Sequence, residues 1–92
     1  MIITFDPAKR QATFTERGLD FKDAVIVFGG RTIQKVDSRF DYGEERLITI
    51  GFLYARMVII IWTPRGEARH IISMRKANVR EQKYYRKQFE KS

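Results

Sequence analysis

The sequence predicts an α+β domain, one antiparallel sheet packed by helices in the order β-α-α-β-β-β-β-α. Three observations predict it. A chain of 92 residues, 43% of them hydrophobic, supports one small core and a single domain over residues 1–92. Between Arg31 and Arg75 the apolar residues alternate with period two, the period of a strand. Outside that stretch, Asp6-Pro7, Asp20 and Asn78 stand where helices open.

Met1 to Phe5 reads as a short strand. Asp6 can cap the first amides of a helix, and Pro7 suits its first position because a missing N–H costs nothing there. Ala8 to Arg17 continues that helix, and Gly18 fits the left-handed residue that ends one. Asp20 begins a second, shorter helix with Ala24, Val25 and Phe28 on its apolar side, closed by Gly29-Gly30. Arg31 to Val36 is a strand, and Asp37 to Glu44 a polar loop. Glu45 to Leu53 alternates, with Leu47, Thr49 and Gly51 on one face and Arg46, Ile48 and Ile50 on the other. Tyr54-Ala55 is a tight connection into Arg56 to Thr63, which is apolar on both faces and so central. Pro64 to Glu67 turns the chain into Ala68 to Arg75, whose alternation separates Arg69, Ile71, Ser73 and Arg75 from His70, Ile72 and Met74. Asn78 and Glu81 have the spacing of a reciprocal capping box. The helix they open runs to about Phe89 and sets Tyr85 and Phe89 on one face.

Composition excludes several chemistries. With no Cys there is no disulfide, thiolate metal site or cysteine nucleophile, and one His cannot form a histidine cluster. No cofactor or metal is expected, and Gly29-Gly30 is a helix end rather than a phosphate-binding loop. The longest apolar run, Met57 to Trp62, is far short of the roughly 18 residues that cross a bilayer. The first residues lack a basic leader with an apolar core, so neither signal peptide nor membrane is expected, and a cytoplasmic protein is.

The net charge is +7, and most of it falls after residue 68, where Arg75, Lys76, Arg80, Lys83, Arg86 and others face only Glu81 and Glu90. Such a field attracts polyanions, above all nucleic acid. Arg75 and Lys76 stand where the last strand meets the last helix, beside free helix amides that suit a phosphate. Lys9 and Arg17 are eight apart on the first helix, within about 80° of each other around its axis. Lys76, Arg80 and Lys83 are expected to hold an RNA backbone. RNA carries its own nucleophile, the 2′-hydroxyl. Its cleavage needs alignment, cations at the crowded phosphorane, and groups that take and give a proton. Arg, Lys and Tyr can supply these. His70, the single imidazole, reads as a satisfied, half-buried side chain.

Three blocks of this chain resemble the BrnT ribonuclease toxins. They are Asp6-Pro7-Ala8-Lys9 with Arg17-Gly18-Leu19-Asp20-Phe21, then Asp41 to Gly51, then Arg69 to Asn78 with Glu81 and Tyr85. The resemblance spans nearly the whole chain, in order. It implies a fold like that of the RelE toxins. It implies a metal-independent endoribonuclease that arrests growth through 2′-hydroxyl attack. It also implies a cognate ribbon-helix-helix (BrnA-like) antitoxin that masks the site and connects the toxin to operator DNA.

On that resemblance Lys9 contacts phosphate, Arg75 is the transition-state clamp and Arg46 a second phosphate contact. Tyr85 orders the site or packs on the sheet, and Glu81 has a structural role. The family's usual His is Arg17 here, whose guanidinium stays charged near neutrality, so a weakened enzyme is expected. The alternative is a catalytically weak or inactive RNA-binding or co-repressor module acting with its antitoxin on operator DNA.

Overall fold

In the computed structural model, which describes residues 1–91, five strands form one sheet in the spatial order β1-β5-β4-β3-β2. The strands are β1 (Ile2–Phe5), β2 (Ile33–Val36), β3 (Leu47–Leu53), β4 (Arg56–Arg65) and β5 (Ala68–Lys76). Helix α1 is Pro7–Arg17. A single 3₁₀ turn, Phe21–Asp23, runs into α2 (Ala24–Gly29), and α3 is Val79–Lys91. The α+β class and the element order are as the sequence predicts. No helix among the described residues is long and apolar enough to cross a membrane.

The capping signals act as their residue types require. Asp6 accepts the Ala8 amide at 2.9 Å ahead of Pro7, and Gly18, at φ 69°, donates to the Phe14 carbonyl. Asp20 caps the 3₁₀ turn through Lys22 N and takes a two-point ion pair from Arg10. At α3, Glu81 N donates to Asn78 Oδ1 while Asn78 N donates to Glu81 Oε1, which completes the box.

The sheet separates two cores. On one face Leu19, the 3₁₀ turn (Phe21) and α2 (Ala24, Val27) cover Leu47, Leu53, Val58, Ile60, Trp62, Ile71 and Met74. On the other, α3 lays Tyr85 and Phe89 over Ile50, Met57 and Ile59. Gly51 is where α2 approaches β3. A Cβ there would meet Val27 Cγ1 at 2.7 Å and Thr32 Cγ2 at 3.2 Å.

Two features differ from the sequence reading. The sheet is antiparallel from β2 to β5, but β1 joins β5 in parallel, Ile2 opposite Ala68 and Phe5 opposite Ile71. Alternation fixes which side chains point inward, not which strand a segment pairs with. The second difference is a bulge: Ile61 pairs with Ser73 but Trp62 pairs with Ile71. The additional residue, Ile72, resets the alternation, so Ile71 and Met74 enter the same core although three residues apart. His70, Ser73 and Arg75 consequently belong to the α3 face.

Candidate active site

Four side chains surround a hollow of about 200 Å³ at the open edge of the α3 face: Lys35 from β2, Arg39 from the following loop, Arg75 from β5 and Tyr85 from α3. Glu81 forms part of the wall, and Ile48, Ile59 and Ile61 form the floor. Strand register places the floor, since Lys35 pairs with Ile48, Ile48 with Ile61 and Arg75 with Ile59.

Arg75 is fixed end-on. Its two terminal nitrogens donate to the two oxygens of Glu81, both at 2.8 Å. The Arg75 hydrogen bond holds the Glu81 carboxyl down at about 2, further aided by the Asn78 amide, and the pair raises Arg75 in turn. Glu81 is therefore a permanent anion and a poor proton acceptor near neutrality. Three guanidinium hydrogens of Arg75 remain for another acceptor.

Arg39 is held in the same manner. It makes a fork with the buried Asp37, Nε to Oδ1 at 2.8 Å and Nη2 to Oδ2 at 2.9 Å. Asp37 also accepts the Tyr42 hydroxyl and is held at about 2, chiefly by Arg39. The Arg46 guanidinium lies 3.8 Å from the centre of the Tyr42 ring, and the Asp37 amide donates to the Arg46 carbonyl. Arg46 Nε is buried with no hydrogen-bond partner. Lys35 lies 5.4 Å from the centre of the Tyr85 ring.

The expected residues are thus brought together only in part. Arg75 and Tyr85 line one hollow. Tyr85 is buried in the α3 core and also forms a wall of the hollow. Arg46 adjoins the hollow through Tyr42, Asp37 and Arg39 rather than lining it. Lys9 does not share it: Lys9 lies on α1, and its charge is felt instead by His70. The three cations expected to act on one phosphate chain, Lys9, Arg46 and Arg75, thus share no hollow, because α1 contributes no side chain to the walls around Arg75. Arg17 is also away from it, donating to the Met74 carbonyl at 3.0 Å. Lys76 lines a different hollow, and Arg80 and Lys83 are solvent-exposed on α3.

His70 is half-buried, and its Nδ1 lies 2.8 Å from Thr4 Oγ1. Burial, then the Arg65 charge, lowers its pKa below the ordinary 6.5, which favours the neutral ring. Lys35, Arg39, Asp37 and Tyr42 were not among the expected site residues. Lys35 carried no usable signal, since period two sets its face on β2 but not that Ile48 of β3 lies across from it. The Arg39–Asp37 fork had none, because a polar loop has no periodicity. Among the described residues no three His, Cys, Asp or Glu are grouped to hold a metal ion.

The arrangement presents cations pre-positioned by carboxylates over an apolar floor. Such a surface can grip a phosphodiester and stabilise added negative charge on it. Residues 5–81 match the family described as the ribonuclease toxin BrnT of type II toxin–antitoxin systems. The 1.1 Å crystal structure of the Brucella abortus ribonuclease toxin BrnT is similar to this chain at 36% identity, with a TM-score of 0.65. The similarity covers 85% of this chain and 97% of that one. No curated protein matches the chain.

Proposed function

This chain belongs to the BrnT family of ribonuclease toxins of type II toxin–antitoxin systems, and we propose that it cuts RNA within the strand without a metal ion, using the substrate's own 2′-hydroxyl. The observation that carries this reading is Arg75, held by Glu81 at the wall of a hollow it shares with Lys35 and Arg39. The scissile phosphate sits against Arg75, which meets the charge of the phosphorane with its remaining N–H groups. Arg39 and Lys35 neutralise the same phosphate or its neighbour, and Arg46 with Lys9 holds flanking phosphates. Lys76, Arg80 and Lys83 extend the grip along α3. Glu81 orients Arg75 and does not take the proton.

A type II system implies an antitoxin partner. We assign it to the ribbon-helix-helix class, covering the basic face and linking the toxin to operator DNA, with the system acting in the cytoplasm. The +7 charge supports a counter-charged inhibitor as well as RNA.

The test is incubation of purified protein with RNA in EDTA, assayed for cyclic-phosphate ends. Cleavage that survives EDTA and is lost in Arg75→Ala supports the reading. Cleavage by Arg75→Ala at the wild-type rate overturns the site. A second reading is favoured by Arg17, whose guanidinium is engaged by Met74 and cannot shuttle a proton. In it the chain is a catalytically weak RNA-binding or co-repressor module. Salt-sensitive binding of RNA that stays intact would select it.

A further inference from the structure

We infer that the corner formed by the β3–β4 turn, the end of β5 and α3 is a second RNA subsite, which holds single-stranded RNA flanking the cut. The inference rests on the ribonuclease reading but concerns different residues. A hollow of about 370 Å³ at this corner is lined by Arg56, Lys76 and Arg86, with Gln82, Met57, Ala55 and Ala77, and by no acid. None of the three cations has an ion pair among the described residues. Arg75, Arg39 and Arg10, by contrast, are each forked onto a carboxylate. Three uncompensated cations converging on one concavity repel one another, and a polyanion relieves that repulsion.

A second hollow shares Ala55 and Arg56 with the first, and Tyr54 and Asp23 line it. Tyr54 is 80% exposed, so its ring is stabilised by no core. Its φ is 57°, and it is the one non-glycine residue with positive φ among those described. A bulky L-residue is unfavourable there, and glycine would relieve the conformation. An outward aromatic ring, held in a strained turn two residues before Arg56 at the rim of the cationic hollow, is a stacking platform for a base whose phosphate that hollow holds.

The corner is also placed to receive the same strand. Glu81 and Tyr85 of α3 line the Arg75 hollow, whereas Gln82 and Arg86, one position on, line this one. Arg75 and Lys76 are consecutive in β5, and they pair with Ile59 and Val58, whose side chains enter opposite cores. Through Glu81 and Tyr85 on one side and Gln82 and Arg86 on the other, the two hollows adjoin the same turns of α3, and the proposed strand passes from one to the other across them. Charge complementarity points to a polyanion as the occupant, since three cations and no acid line the hollow.

The test measures binding of labelled 2′-O-methyl RNA, which lacks the nucleophile and stays intact, at graded lengths. Wild-type affinity should rise with length. Tyr54→Gly should lose about tenfold for long RNA and little for the shortest, while its Tm rises. Arg56→Ala and Arg86→Ala should each reduce the salt slope by about 0.7. Unchanged affinity of these variants for long RNA overturns the subsite and leaves the ribonuclease reading standing. So does weakened antitoxin binding with RNA binding intact, which would make the corner a protein interface. If the wild type binds this RNA but does not cut unmodified RNA, the cleavage reading falls and the subsite is judged on the affinities alone. If it binds no RNA, both fall.

Discussion

Arg75 and Glu81 meet fork to fork, two N–H···O bonds of 2.8 Å, and the same carboxylate accepts the Asn78 amide. One side chain thus starts α3 and aims the cation that faces the hollow. The pair lies six positions apart in sequence, and the turn between β5 and α3 brings them together.

That double duty can be separated by substitution. Glu81→Gln retains a capping partner but not the charge pair, so stability should fall by about 1 kcal/mol or less while RNA cleavage falls further, roughly tenfold. Arg75→Ala should lower cleavage by about 10²–10³-fold, the range for removing one preorganised charge donor. Denaturation curves and single-turnover cleavage check both. An equal loss in stability and none in rate for Glu81→Gln would contradict the orienting role.

Acid should unfold the protein through its forked carboxylates. Glu81, Asp37 and Asp20 are each held at about 2 by an arginine hydrogen bond, below the ordinary carboxylate range. The unfolded chain then binds protons more readily, so the stabilisation is complete above the ordinary range and is lost as pH falls towards 2. His70, lowered by burial, adds a smaller loss that begins as pH falls below its ordinary value of 6.5. A Tm-against-pH series should show both limbs. Asp37→Asn should flatten the acid limb, and His70→Gln the shallow one.

Gly51→Ala should destabilise by about 1–3 kcal/mol, because the new methyl meets the short, branched Val27 rather than a flexible side chain. Val27→Ala should be less damaging in that background than in the wild type. Urea midpoints of the four proteins test this, and simple additivity would mean that α2 moves aside freely.

Asp37→Ala should release Arg39 and the Tyr42 hydroxyl together, since both depend on that carboxylate. RNA affinity should fall several-fold, with Tyr42→Phe intermediate. Affinities measured at one fixed salt concentration decide it.

The local elements were legible because their causes are local. Asp6-Pro7, Gly18 and the Asn78–Glu81 box are satisfied by atoms within a few residues, and they end helices where the residue types say they should. The two faces of β3 followed from period two. Arg75 and Tyr85 stood out through charge, helical spacing and the family resemblance, and they do line one hollow.

The failures have a common origin in pairing. The parallel seat of β1 and the bulge at Ile72 are choices among partners, and alternation carries no partner label. The bulge moved His70 to the α3 face, and the layering of helices separated Lys9 and Arg17 from Arg75. The sequence by itself determined the element order, the capped helix ends, the basic C-terminal third and the family, since each is written in short-range spacing and composition. The carboxylate forks are local, Asp37 with Arg39 two positions on and Arg75 with Glu81 six positions on. Tertiary structure alone decided which of the cations share a hollow, because Lys35, Arg39 and Arg75 meet only through strand register and through the face on which α3 packs.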